Sequence, residues 1–141
     1  PPEARARVMI RGFVADMYRY SGSANVVIAR GGATNLAELA VQGRTCIIVP
    51  NPQLTGGHQL KNTAPLTTQG AIIEMTEAQI AQELRLASVV SDLIGNPRKA
   101  AALAHQLGSL AQPFAAKQLA LLLLQTAKNK AKKVNITKPA L

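Results

Sequence analysis

An α/β fold, a parallel sheet flanked by helices, is what this 141-residue sequence predicts, and three observations carry the expectation. Short β-rich runs alternate with helical patterns along the chain. The two middle runs, Val26-Val27-Ile28-Ala29 and Cys46-Ile47-Ile48-Val49, are apolar at every position, as strands covered on both faces by helices should be. Between them, residues 35–42 carry helical periodicity, so the three segments form a βαβ unit, whose crossover is right-handed in nearly all proteins. Its strands then end along one edge, and the loops on that edge are where a site is expected.

Four strands are predicted in order: Arg7–Ile10, Val26–Ala29, Cys46–Val49 and Ala71–Glu74. The helix at 35–42 places Leu36, Leu39, Ala40 and Gly43 at spacings of three and four, an apolar stripe able to pack on the sheet. A second helix begins around His58. Thr76-Glu77-Ala78-Gln79 reads as the cap of a helix that runs through Glu83 to Ile94. Gly95-Asn96 stops it, and Pro97 suits the first position of the next helix. A further helix starts near Pro113 and runs to about Lys128. The expected division is therefore a folded domain at 1–127 and a basic tail at 128–141. Doubly wound domains ordinarily have more strands and open with a glycine-rich phosphate loop, which this sequence lacks. Its first strand and loop are expected to be missing, with the chain beginning inside a longer reading frame.

Composition narrows the function. The longest apolar run, Leu119–Leu124, falls far short of the roughly 18 residues of a membrane span. A single cysteine, Cys46, excludes a disulfide framework and a cysteine-rich zinc site, and suggests a reduced thiol in a cytoplasmic protein. The net charge of +9 is uneven: residues 1–92 hold eight basic and all seven acidic residues, and the remainder is basic without an acid. Lys128, Lys130, Lys132, Lys133 and Lys138 form a tail suited to an anionic membrane surface, or simply to solvent. Two Phe, two Tyr and no Trp leave no aromatic platform for stacked bases, so no nucleic-acid partner is expected.

Two loops carry the candidate chemistry. The first, Ala29-Arg30-Gly31-Gly32-Ala33-Thr34-Asn35, joins a strand to a helix. Its glycines permit close approach, and the free N–H groups of the helix start favour an anion. Arg30 either neutralises that anion or forms a surface ion pair. Glu38, one turn into that helix, can accept from two vicinal hydroxyls; equally, Asn35-Leu36-Ala37-Glu38 matches a capping box, and an acid in the first turn is favoured by the helix dipole. The second loop runs from Pro50 to Asn62. His58, Gln59 and Asn62 lie around a helix start, with 58 and 62 on one face. Amides and an imidazole suit neutral hydroxyls better than a metal, so no metal site is expected, although an exposed histidine at a helix start is also ordinary. His105, at helical spacing among alanines, is expected at the surface. Adjacent parallel strands would bring both loops to one crevice.

Taken in order, Gly31-Gly32-Ala33-Thr34-Asn35-Leu36-Ala37-Glu38-Leu39-Ala40, Gly43, Ile48-Val49-Pro50-Asn51-Pro52, His58-Gln59-Leu60 and Asn62 resemble the carboxyl-terminal domain of family 28 glycosyltransferases. That family includes the bacterial GlcNAc transferase of the lipid-linked peptidoglycan precursor and the UDP-GlcNAc-binding subunit of the dolichol-linked GlcNAc transferase. The resemblance runs from about Val8 to Gln125 and implies a Rossmann-like sheet, part of the carboxyl-terminal half of a GT-B fold. It implies UDP-GlcNAc as donor substrate, no cofactor, and a lipid-diphosphate-linked sugar as acceptor. By the same resemblance Phe13 and Val14 would hold the uracil through backbone groups and Glu38 the ribose. Gly32, Ala33, Thr34 and Asn35 would face the diphosphate and sugar, and His58, Gln59 and Asn62 the GlcNAc hydroxyls. The family's usual pair of glutamines is His58-Gln59 here. The family places its proposed general base in an amino-terminal acceptor domain, so no catalytic residue is assigned and neither histidine is given that role. The expected protein is a hexosyltransferase, peripheral on the cytoplasmic face of the membrane, of which this segment alone would be inactive. The alternatives are a donor-binding subunit that meets a separate membrane subunit and a noncatalytic nucleotide-sugar-binding module. An epimerase on the same architecture would need more carboxylates than Glu38 in the cleft.

Overall fold

The computed structural model describes residues 7–53 and 55–136. Three strands, β1 (Val27–Ala29), β2 (Cys46–Ile48) and β3 (Ile73–Glu74), form a sheet in that order. Both pairings are parallel, with Val27 opposite Cys46 and Ile47 opposite Ile73. Around them come α1 (Met17–Ser23), α2 (Ala33–Val41), a 3₁₀ turn at Thr55–Gly57, α3 (His58–Thr68), α4 (Glu77–Ile80), α5 (Arg85–Gly95) and α6 (Pro97–Ser109). The last helix, α7 (Ala115–Ile136), belongs to a second compact unit: the chain divides into residues 1–110 and 111–141.

The central strand explains the core. Every residue of β2 is buried, and Ile47, Val49, Met75 and Leu93 make a cluster against which Val26, Ile73, Leu86 and Val90 pack. Leu36, Leu39 and Ala40, the predicted stripe, are the buried residues of α2. That helix meets α6, where Leu107 is fully buried and a Cβ on Gly108 would lie 3.7 Å from the Gly43 Cα. Gly43 ends α2 in the left-handed region (φ 58°), where a Cβ is disfavoured and glycine is the usual helix stop.

Several sequence expectations need correction. Residues 7–10 form no strand: Val8, Met9 and Ile10 are 65–87% exposed, and a segment without a hydrogen-bonded neighbouring strand is not part of a sheet. The strand expected at Val26–Ala29 is present as β1, but it is an edge of the described sheet and is not buried on both faces. Ile28 is 48% exposed, beside an open apolar groove lined by Ile80, Leu84 and Val90. The single helix expected from Thr76 is two. Thr76 and Gln79 do make the reciprocal capping box, but only for one turn, and Leu84 then adopts φ 59° before α5 begins. Downstream, Asn96 accepts from the Lys99 N–H and Pro97 opens α6 as predicted. Helix α1, in a segment for which no element was predicted, is held by polar links. Gln42 accepts from the Ser21 hydroxyl at 2.9 Å and donates to the Tyr18 carbonyl at 3.1 Å, while Arg44 donates to the Gly22 carbonyl.

Considered by itself, α7 extends past the expected stop near Lys128 to Ile136. Its Leu119 and Leu121–Leu124 are exposed. No helix among the described residues is long and apolar enough to cross a membrane.

Candidate functional site at the carboxyl edge of the sheet

Parallel pairing brings the ends of β1 and β2 together, and the Val49 N–H donates to the Ala29 carbonyl at 2.8 Å to extend the ladder to that edge. From there β1 runs through Arg30 and Gly31 into Gly32, the N-cap of α2. No side chain caps that helix; its first internal bond is Leu36 N–H to Gly32 O. The amides of Ala33, Thr34 and Asn35 therefore form an uncapped first turn, with the positive end of the helix dipole behind them. These three residues are exposed, as is Glu38. A spacing of four puts Thr34 and Glu38 on the face opposite the buried Leu36 and Leu39, with Asn35 at its margin.

The capping-box alternative for Glu38 falls here. The helix starts two residues before Asn35, so Glu38 lies in its second turn and has no cap to make. Among the described residues its carboxylate has neither an ion pair nor a hydrogen-bond partner. Arg30 takes the other of its two expected roles: Nη2 pairs with Glu77 Oε1 at 2.7 Å and Nη1 donates to the Val49 carbonyl at 3.2 Å. The guanidinium thus ties the end of β1 to the end of β2 and to α4.

The second loop turns on two consecutive glycines, Gly56 (φ 73°) and Gly57 (φ 61°), both in the left-handed region, which is why the sequence needs the Gly-Gly pair before α3. His58 follows, exposed, and its ring folds back so that a Cβ on Gly56 would lie 3.0 Å from Nε2.

The half-buried amides of α3 reach across to both loops. Gln59 Oε1 accepts two backbone N–H groups, from Asn51 at 2.8 Å and from Gly31 at 3.2 Å. Asn62 Nδ2 donates to the carbonyl of the same Gly31 at 3.0 Å. One glycine thus has both its N–H and its C=O held by side chains a helical turn apart. The approach is close enough to require glycine: a Cβ there would lie 3.0 Å from the Gln59 carbonyl and from Thr63 Cγ2. Thr63, fully buried, was not anticipated as part of this contact; an interior threonine one turn after Gln59 is the only trace it leaves in the sequence. Gln59 Nε2 and Asn62 Oδ1 have no protein partner among the described residues, and neither is sealed in the interior.

The structure thus gathers Gly31, Gly32, Ala33, Asn51, Gln59 and Asn62, with His58 at the adjoining helix start. Phe13 and Val14 lie outside this hydrogen-bonded group, on the segment before α1, the first 88% exposed and the second half-buried. His105 is at the surface, as expected. Ala33 and Asn62 also border a largely apolar groove of about 370 Å³, floored by Leu36, Leu66 and Leu107. No group of three or more metal-ligating side chains occurs among the described residues.

A parallel, Rossmann-like α/β layer whose carboxyl edge carries an uncapped helix start and open amides has the architecture of the doubly wound ligand-binding domains, which take their ligands at that edge. The sequence matches the model of the glycosyltransferase family 28 C-terminal domain over residues 3–119, and the chain belongs to that family. Among its curated relatives is the UDP-N-acetylglucosamine--N-acetylmuramyl-(pentapeptide) pyrophosphoryl-undecaprenol N-acetylglucosamine transferase of Anaeromyxobacter dehalogenans (strain 2CP-C). It is 35% identical over 111 residues, 79% of this chain and 29% of the relative. The protein of the same description from Sorangium cellulosum (strain So ce56) is 37% identical over 124 residues, 88% of this chain and 30% of the relative. The crystal structure of Acinetobacter baumannii MurG superposes with a TM-score of 0.73 at 24% identity, covering 83% of this chain and 33% of that one; it shares the fold, the carboxyl-terminal half of GT-B. The chain thus spans about a third of the length of the relatives it matches.

Proposed function

We propose that this chain is the donor-binding half of a hexosyltransferase that binds UDP-GlcNAc and presents it to a lipid-diphosphate-linked sugar, as in the conversion of a peptidoglycan precursor. The observation that carries the reading is the cluster at the carboxyl edge: an anion-favouring helix start beside one open amide donor and one open acceptor. The uncapped amides of Ala33, Thr34 and Asn35 receive the diphosphate and stabilise the charge that develops on the departing UDP. Glu38, exposed on the same face of α2, accepts from the two ribose hydroxyls. A sugar hydroxyl both donates and accepts, and Gln59 Nε2 with Asn62 Oδ1 offers it one partner of each kind; His58 adjoins them. Phe13 and Val14 serve the uracil through their backbone. The donor is the only small molecule required, and no cofactor enters.

The remaining partners follow from the same reading. An acceptor-binding half, in the same polypeptide or in a membrane subunit, completes the reaction and supplies the general base. The lysine tail contacts anionic lipid on the cytoplasmic face, where the enzyme is peripheral. The test is calorimetry on the full-length protein with UDP-GlcNAc, UDP-glucose and UDP. Selective binding of UDP-GlcNAc, weakened in Glu38→Ala, is expected. Absence of binding to all three would overturn the proposal.

A further inference from the structure

We infer that Gln59 and Asn62 are positioning residues for the diphosphate half of the site, because together they clamp the Gly31 peptide and so aim the amino terminus of α2. The inference rests on the donor-site reading above and adds a role distinct from contact with the sugar. Three contacts carry it: Asn51 N–H and Gly31 N–H on Gln59 Oε1, and Gly31 O on Asn62 Nδ2. Their polarity fixes which way each amide points, since two N–H donors demand the oxygen of Gln59 and a carbonyl demands the nitrogen of Asn62.

Gly31 is buried, and two residues beyond it begins the helix whose free amides would meet the phosphates. Without Gln59 its N–H would lose its partner in a partly desolvated place, and the loop would have to turn to find water. The N–H groups of α2 cannot be well aimed unless that loop is fixed, and a site held ready before the ligand arrives binds more tightly than one ordered by it. Binding of the phosphates and binding of the sugar are thereby coupled through one helix. Side chains that contact only the sugar would have no influence on a nucleotide that lacks one.

The experiment uses the full-length protein with Gln59→Ala, Asn62→Ala and Gln59→Glu, each checked for an unchanged fold by circular dichroism. Hydrogen exchange without ligand is followed in peptides covering 29–35 and 49–53, and affinity is measured for UDP as well as UDP-GlcNAc. Gln59→Ala is expected to speed exchange in both peptides and to weaken UDP by about fivefold to tenfold, the worth of one hydrogen bond. Asn62→Ala weakens UDP similarly. Gln59→Glu keeps an oxygen for both N–H groups and restores the protection, which general destabilisation would not allow. Unchanged UDP affinity with weakened UDP-GlcNAc would overturn the inference and leave these residues as sugar readers only; unchanged exchange would overturn it as well. A wild-type protein that fails to bind UDP would refute the donor-site reading itself, a result separate from the exchange of the unliganded variants.

Discussion

Gly31→Ala tests the geometry of the site through a single methyl group. Gly31 does not occupy the left-handed region, so alanine is not excluded by its backbone. Restricting the unfolded chain would by itself stabilise the protein by about 0.4–1 kcal/mol. Against this stand three contacts, to the Gln59 carbonyl at 3.0 Å, Thr63 Cγ2 at 3.0 Å and Gln59 Cβ at 3.1 Å. None is the end of a flexible side chain, so the loop and α3 must separate by roughly 0.5 Å to reach ordinary van der Waals distance. Overpacking of this kind costs about 1–3 kcal/mol. The same displacement would stretch the 3.2 Å bond from Gly31 N–H to Gln59 Oε1 beyond hydrogen-bonding range, at about 1 kcal/mol more. Clash and lost bond outweigh the entropic gain, leaving a net destabilisation of about 1–3 kcal/mol and a Tm lowered by roughly 3–10 °C. Thermal unfolding by circular dichroism measures the first effect and titration with UDP the second, which should weaken about tenfold. The control is Gly32→Ala, where a Cβ would meet nothing within 4 Å, and which should leave Tm nearly unchanged. Equal Tm values for the two variants, with equal UDP affinity, would refute the close-approach argument.

Other perturbations separate packing from chemistry. Leu93→Ala removes a side chain that is 1% exposed in the central cluster and should cost about 2–5 kcal/mol in urea unfolding; a loss under 1 kcal/mol would mean the core collapses around the gap. Glu38→Gln, on an exposed face of α2, should leave stability within about 0.5 kcal/mol and weaken UDP measurably; unchanged affinity would remove Glu38 from the ribose. Arg30→Ala breaks an ion pair whose partners are each about half exposed. It should cost no more than about 1 kcal/mol, and a far larger loss of UDP affinity than of stability would show that Arg30 leaves Glu77 for the ligand. Burial pushes the Cys46 thiol up from 9.0 to about 12, against the opposing positive charge of Arg44. The folded thiol keeps its proton where the unfolded one loses it, so this contribution to stability is intact below pH 9 and is lost as pH rises toward 12. Folded protein should resist thiol reagents at pH 8, and rapid labelling there would contradict the burial.

What the sequence conveyed well was what periodicity and punctuation encode. The apolar run at Cys46–Ile48, the stripe of Leu36, Leu39 and Ala40 and the Asn96-Pro97 helix start depend on neighbours in the chain, and each appears where expected. The burial of β1 was overestimated because apolar composition does not reveal whether helices cover both faces of a strand; Ile28 is half exposed because its face opens on the groove beside Ile80, Leu84 and Val90. Residues 7–10 misled in the same way, their β-rich composition meeting no partner among the described strands. At the site, the residue types were legible and their present partners were not. Gln59 and Asn62 read as groups for an external hydroxyl, yet half of each amide is engaged with the backbone of Gly31 and Asn51. A bond between positions 28 apart leaves no local signature. Glu38 was ambiguous until the helix start was fixed at Ala33, which only the structure could do.

The hub at Gly31 also sets an expectation for the order in which contacts form during folding. Its partners are separated from it by 28 and 31 positions, distances that no local element spans. Closing a loop of that length is entropically unfavourable until other contacts have shortened it. The pairing of β1 with β2 supplies that shortening, since the register of Ala29 with Ile48 and the bond from Val49 to Ala29 bring the following loops side by side. Helix α3 is then left to dock, carrying Pro65 within its span and therefore one backbone donor fewer than an uninterrupted helix. The cluster around Gly31 is thus expected to form only after β1 and β2 have paired, and a destabilised chain is expected to lose the cluster's protection from hydrogen exchange before that pairing is lost.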